Sequence, residues 1–186
     1  MDGVKIKKGL HILWERLSEQ GPKVTALWVA DHWVRALTGA PLRALTEVAP
    51  GLHVGGQYRR RGWARLAARG ITAVVNMRDE WDDQALGIAP QRYLYLPTVD
   101  DMAPSLEDLR RGVTFIQQER GVGGGVYIHC GAGVGRAAAM AAAYLVSTGL
   151  TADEAWARLR QVRPFVRPKP VQVVQVARFA REALRV

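Results

Sequence analysis

Cysteine occurs once in these 186 residues, at position 130. A single thiol excludes an internal disulfide framework and a cysteine-built zinc site, and it fits a reducing compartment such as the cytoplasm. Long apolar runs are missing too. The opening "MDGVKIKKGLHILWERLSEQG" interrupts every apolar stretch with charge, far short of the roughly 18–20 apolar residues a membrane span needs. It also lacks the apolar centre and small-residue cleavage site of a secretion signal, so the chain reads as soluble. No low-complexity tract and no internal repeat is present, and the composition is that of a globular domain.

Acids are absent from residues 51–70, which carry five arginines (Arg59, Arg60, Arg61, Arg65, Arg69), and are outnumbered in residues 151–186 by eight bases to three. The formal net charge is +9. Such a surface favours anionic partners: phosphorylated substrates, anionic lipid headgroups or nucleic acid. Solvated helix faces would account for the same charge, and no base-stacking motif or recognition module supports nucleic-acid binding.

What the chain does contain is alternation. Residues 4–38 predict two helices, with Ile6, Leu10, Leu13, Trp14 and Leu17, then Val24, Leu27, Trp28, Val34 and Leu37, at helical spacing and "QGPK" between them. This apolar stripe is expected to pack on its own domain, and a membrane surface is its other possible partner. From Leu52 onward short apolar runs ("LHVG", "ITAVVNM", "YLYLP", "GVYIH") alternate with helical patterns. Ser105 with Asp108, and Thr151 with Glu154, mark two helix starts. The pattern predicts an α/β fold: a central, mostly parallel twisted sheet of about four to five strands flanked by helices, with an N-terminal helical extension. The expected division is an extension at 1–47 and a catalytic domain at 48–186.

The cysteine lies in "VYIHCGAGVGRAAAM" (126–140), where a strand runs through a glycine-rich loop into a helix. Amides of such a loop converge on an anion, and the helix N-terminus adds about half a positive charge. Nucleotide-binding alternatives fail. Arg136 and Ala137 stand where a P-loop needs lysine and a hydroxyl, the glycine spacing is not that of a dinucleotide fold, and a kinase's other parts are missing. A thiol at the base of this loop sits where the field favours thiolate. Arg136, six residues on, can return across the loop and grip two phosphate oxygens in a fork. Together they describe sulfur attacking a phosphoryl group through a phosphocysteine.

These residues resemble the Cys-x5-Arg signature of the protein tyrosine phosphatase superfamily: His129, Cys130, Gly131, Ala132, Gly133, Val134, Gly135, Arg136. The size and flanking pattern resemble the small dual-specificity branch over about residues 48–184. "PTVDDMAPSLEDLRRGVTFI" and "AAYLV" are similar to its mitochondrial and plant phosphatidylglycerophosphate phosphatases. The resemblance implies that Cys130 is the nucleophile and that Arg136 binds the phosphate with the loop amides of 131–135. It further implies that Asp100 is the general acid, with Asp101 as alternative, and that His129 positions the cysteine. No cofactor or metal is implied. Arg78, at a strand end, is a further candidate for substrate binding, or else pairs with Asp79 or Asp82. Arg163 and Arg167 could line the rim, and Trp81 a pocket wall.

Two departures bear on function. Ala137 replaces the Ser or Thr that usually follows the signature arginine and stabilises the departing thiolate, which predicts a slowly hydrolysed phosphocysteine. The loop interior carries no lysine and no second arginine, unlike many lipid-directed relatives. The leading expectation is therefore a metal-independent, dual-specificity-like phosphatase acting on a phosphorylated protein or small phosphomonoester. A phospholipid or inositol phosphate substrate, with the N-terminal helices at a membrane surface, is the sharper alternative. A catalytically weak phosphate-binding module is a third reading, and an RNA 5′-phosphatase would combine this chemistry with nucleic-acid binding.

Overall fold

The structure, a computed structural model, describes residues 3–183, and only the backbone of residues 3–8, 10 and 183. The side chains of Ile6 and Leu10 in the predicted stripe lie outside that description. The first element, α1 (Gly3–Thr38), is two helical segments in series, broken at Gly21, whose φ of 80° and ψ of 169° are not helical, with Pro22 following. The break falls in the predicted "QGPK" separator.

A five-stranded sheet follows, in the order β1-β2-β5-β3-β4. β1 (Glu47–Ala49) is antiparallel to β2 (Leu52–Gly56), while β2, β5 (Gly125–Cys130), β3 (Ile71–Arg78) and β4 (Arg92–Thr98) run parallel. Three residues are too few for a periodic signal, so β1 was not foreseen. β5 is buried along its whole length, as expected of a central parallel strand covered on both faces.

Alternation sorts its side chains. Val126, Ile128 and Cys130 face the larger core, and Tyr127 faces the smaller one with Tyr58, Leu66, Ile71 and Val74. The larger core lies under α3 (Leu106–Gly121), α4 (Arg136–Ser147), α5 (Ala152–Val162) and α6 (Pro170–Ala183). The short α2 (Trp63–Ala67) covers the smaller one.

Both predicted helix starts are present. Ser105 Oγ accepts from the Asp108 amide at 3.0 Å, and Thr151 with Glu154 forms a reciprocal capping box. In α4, every residue from Ala137 to Ala143 is fully buried. Small side chains let this helix approach the sheet and its neighbours closely, which fixes the point where the loop before it begins. No helix among the described residues is long and apolar enough to cross a membrane.

The packing of α1 departs from expectation. Its most buried residues are Arg16, Thr25 and Asp31, while Trp14, Leu17, Trp33 and Leu37 are 43–71% exposed. The helix therefore docks through polar groups and leaves part of its apolar stripe outside. The reason lies in what it docks against, which is polar: Arg35 donates to Gly131 O, Asp31 accepts from Arg163, and Arg16 donates to Phe165 O.

Candidate active site

Cys130 ends β5, opposite Gly56 of β2, and the preceding His129 sits opposite Asn76 of β3. Ligand sites of parallel sheets form at these carboxyl ends. The loop 131–135 turns from there into α4. Gly133 has a φ of 68°, and a Cβ there would meet the Gly55 carbonyl at 2.3 Å, so only glycine fits. Its amide donates to Cys130 Sγ at 3.3 Å.

Every carbonyl of the loop is turned outward and engaged. Gly131 O accepts from the Gln57 amide at 3.1 Å and from Arg35 Nη1 at 3.2 Å. Ala132 O and Gly133 O accept from Arg163 Nη2 and Nε at 3.0 and 2.9 Å. Val134 O accepts from the Arg167 amide at 3.0 Å, and Gly135 O from Ala139 at 2.8 Å. Carbonyls pointing out oblige the amides to point in. Those of residues 131, 132, 134 and 135 find no acceptor among the described residues, leaving a concave set of donors suited to an oxyanion.

Arg136, only 3% exposed, folds back over this cradle. Nη1 donates to Thr98 O at 2.7 Å and to Asp79 Oδ1 at 3.2 Å. Glu80 holds both Nη atoms, at 2.9 and 3.1 Å, and Asp100 Oδ1 lies 2.8 Å from Nη2. Nε is buried without a partner, a donor in reserve for a ligand. The Arg136 contact holds the Glu80 carboxyl down at about 2. Asp100 is largely exposed, on the loop after β4. Asp101 has a φ of 63° and pairs with Lys169 at 3.1 Å instead of Arg136. Cys130, Arg136, Asp100, Asp101 and Arg78 all line one cavity of about 470 Å³.

His129 points the other way, into the smaller core. It is fully buried, its Nε2 is 2.7 Å from Asp83 Oδ2, and the rings of Tyr58 and Tyr127 pack on it at 5.4 and 5.9 Å. Burial pushes the Asp83 carboxyl up, but His129, Gln57 and Tyr58 outweigh it and hold it below its ordinary value. This His–Asp pair ties the end of β5 to the segment after β3.

Several expectations require adjustment. Arg163 is not on the rim. It is completely buried behind the loop, where it also donates to Leu45 O at 2.8 Å and pairs with Asp31 at 3.3 Å. Arg167 does line the cavity and pairs with Glu15 and Glu19. Arg78 pairs with Glu80 at 3.4 Å and Gln57 at 3.2 Å, not with Asp79 or Asp82. Trp81, half exposed, lies 5.5 Å from the Arg78 guanidinium and lines a neighbouring cavity with Tyr58 and Leu86.

Sequence reasoning passed over Glu80, Asp83, Arg16, Asp31 and Arg35. The acid run after Arg78 was a usable signal for the first two. The other three lie in α1 and carry no local mark.

Comparison with known proteins agrees with this geometry. The family described as "Dual specificity phosphatase, catalytic domain" matches residues 52–182. Dual specificity protein phosphatase 12 of Mus musculus is 38% identical over 121 residues, 63% of this chain and 36% of that protein. The human phosphatidylglycerophosphatase and protein-tyrosine phosphatase 1 is 30% identical over 121 residues, 60% of each chain. The chain thus spans between about a third and three fifths of these relatives' lengths. Among solved structures, PTPMT1 in complex with PI(5)P superposes with a TM-score of 0.69 at 26% identity, covering 74% of this chain and 95% of that one. Human DUSP28 superposes at 0.67 and 26%, covering 76% and 98%.

Proposed function

Because the chain belongs to the dual specificity phosphatase family, we propose that it hydrolyses phosphomonoesters through a phosphocysteine. The observation that carries this reading is the convergence of thiol, guanidinium and carboxyl on a loop whose carbonyls all point away. Cys130 Sγ attacks phosphorus, an S–P bond forms and the ester P–O bond breaks. The loop amides and Arg136, through Nε and Nη2, hold the non-bridging oxygens as charge builds on them. Asp100 gives its proton to the leaving oxygen. It then takes one from water, whose oxygen bonds to phosphorus as the S–P bond breaks, releasing inorganic phosphate and thiolate. An incoming phosphate competes with Asp100 for Arg136 and so frees the acid for this role. Residues 48–186 form the catalytic unit, and the 1–47 extension steadies its loop.

The substrate is a phosphorylated protein or a small phosphomonoester, since the cradle interior has no base beyond Arg136. A second reading, a phospholipid substrate met at a membrane surface, is favoured by one observation: Trp14, Leu17, Trp33 and Leu37 stand exposed on α1. The likeness to the PI(5)P-bound PTPMT1 structure points the same way. The decisive experiment measures phosphate release from para-nitrophenyl phosphate in EDTA for wild type, Cys130→Ser and Asp100→Asn. Turnover abolished by Cys130→Ser supports the thiol mechanism. Absence of turnover in wild type, with phosphate still bound, would move the assignment to a phosphate-binding module. Sedimentation with vesicles containing anionic phosphatidylglycerol, for wild type and Trp14→Ser/Trp33→Ser, tests the membrane reading.

A further inference from the structure

The cavity over Cys130 is walled in part by α1, from residues that precede the stretch matching the family. Arg16 is the buried member of that wall, 5% exposed. Its Nη1 donates to Gln20 Oε1 at 2.8 Å and reaches Phe165 O at 3.4 Å, and its guanidinium lies 4.5 Å over the Trp28 ring. Its Nε has no hydrogen-bond partner. The other cations of the cavity are all neutralised: Arg136 and Arg78 by Glu80, Arg167 by Glu15 and Glu19, Lys169 by Asp101. Among the described residues, no carboxylate reaches Arg16 within ion-pair distance. Burial first, then the like charges of Arg167 and Arg163, push it down to about 10, and the nearby carboxylates of Glu15 and Glu19 offset this only in part.

A buried guanidinium without a direct ion-pair partner is costly, and here packing holds it in place on the wall of the cleft that contains the nucleophile. An anion entering the cleft would supply the direct counter-charge that this guanidinium lacks. Asp100, Asp101 and Glu80 face the same cavity and repel a second anion near Arg136. The complementary position is therefore beside Arg16 and Arg167, where the one carboxylate that also lines the cavity, Glu15, is already paired with Arg167.

We propose that Arg16 anchors a second anion position in this cleft. The preferred substrate then carries another phosphate or phosphodiester besides the phosphomonoester presented to Cys130. This inference rests on the phosphatase reading for its assay but not for its binding test.

The experiment compares alkyl monophosphates with α,ω-alkanediol bisphosphates of three to eight carbons, as kcat/KM in wild type, Arg16→Met and Arg16→Lys. Wild type is expected to prefer bisphosphates by about tenfold or more at an optimal length, the scale of one charge-assisted contact. The preference should disappear in Arg16→Met and be partly kept in Arg16→Lys. A flat length dependence in wild type, or an equal preference in Arg16→Met, overturns the proposal. The wild-type length scan decides even if a variant fails to fold.

A parallel arm uses a phospholipid whose headgroup ends in a phosphomonoester, in detergent micelles. A preference confined to it assigns the position to a headgroup phosphodiester, whereas one shared by the soluble series assigns it to a soluble diphosphate. Calorimetry on Cys130→Ser separates the two levels of inference. Bisphosphate binding that depends on Arg16, without hydrolysis by the wild type, leaves the second anion position standing and removes the phosphatase reading.

Discussion

Asp31 is far from Cys130 in the chain and outside the family match, yet its removal is expected to damage the phosphate loop. It is 3% exposed, its Oδ1 accepts from the Leu42 amide at 2.9 Å, and its Oδ2 lies 3.3 Å from Nη2 of the fully buried Arg163. Asp31→Ala strands that guanidinium among the carbonyls of Leu45, Ala132 and Gly133. Breaking a buried pair costs about 3–5 kcal/mol, and the three remaining acceptors argue for the lower end, about 3 kcal/mol. At roughly 2–4 °C per kcal/mol for a chain of this size, Tm should fall by roughly 6–12 °C. The loop shifts with Arg163, so kcat/KM for para-nitrophenyl phosphate should fall between about tenfold and 100-fold. The assay is a double-mutant cycle with Arg163→Met, reading Tm and turnover together. Removing both charges should leave the double variant about as stable as Arg163→Met alone, a coupling of about 3 kcal/mol, with no recovery of activity. Additive losses, or an Asp31→Ala protein within about 1 °C of wild type, would refute the argument that this pair braces the loop.

Further expectations can be checked directly. The Glu80 carboxyl, held at about 2 against an ordinary 4.5, stabilises the fold above pH 4.5 and loses that contribution as pH falls towards 2. Acid-unfolding curves should therefore be flatter in that window for Glu80→Gln than for wild type. Asp100→Asn should lower turnover of alkyl phosphates by about 10²–10⁴ and affect para-nitrophenyl phosphate, a better leaving group, much less. Equal losses on both substrates would assign the acid elsewhere. Gly133→Ala combines a left-handed φ with a Cβ 2.3 Å from the Gly55 carbonyl. A destabilisation of about 2–5 kcal/mol with loss of phosphate binding should show in denaturant titration and calorimetry. Ala137 is fully buried at the start of α4. Ala137→Ser should shorten the lifetime of the phosphocysteine, read as a smaller burst relative to steady state, and an unchanged lifetime would dismiss the thiolate argument.

Local chemistry was legible wherever the physics is local. The strand–loop–helix around Cys130 announces itself through glycines, an apolar run and an arginine six residues on, because an oxyanion cradle is built from consecutive backbone. The helix starts at Ser105 and Thr151 were equally plain, since a capping hydroxyl and its amide lie three residues apart. Hydrophobic periodicity likewise determined the α/β alternation and the parallel strands.

What only the tertiary structure decided is everything that depends on partners distant in the chain. It revealed that α1 docks through Arg35 on Gly131 O, Asp31 on Arg163 and Arg16 on Phe165 O, and leaves Trp14 and Trp33 outside, against the ordinary expectation that an apolar stripe faces inward. It put Arg163 behind the cradle, Asp83 beneath His129 and Glu80 across Arg136. Buried carbonyls and guanidinium groups must find partners wherever the fold brings them, and that demand leaves no periodic trace in the residues that meet it.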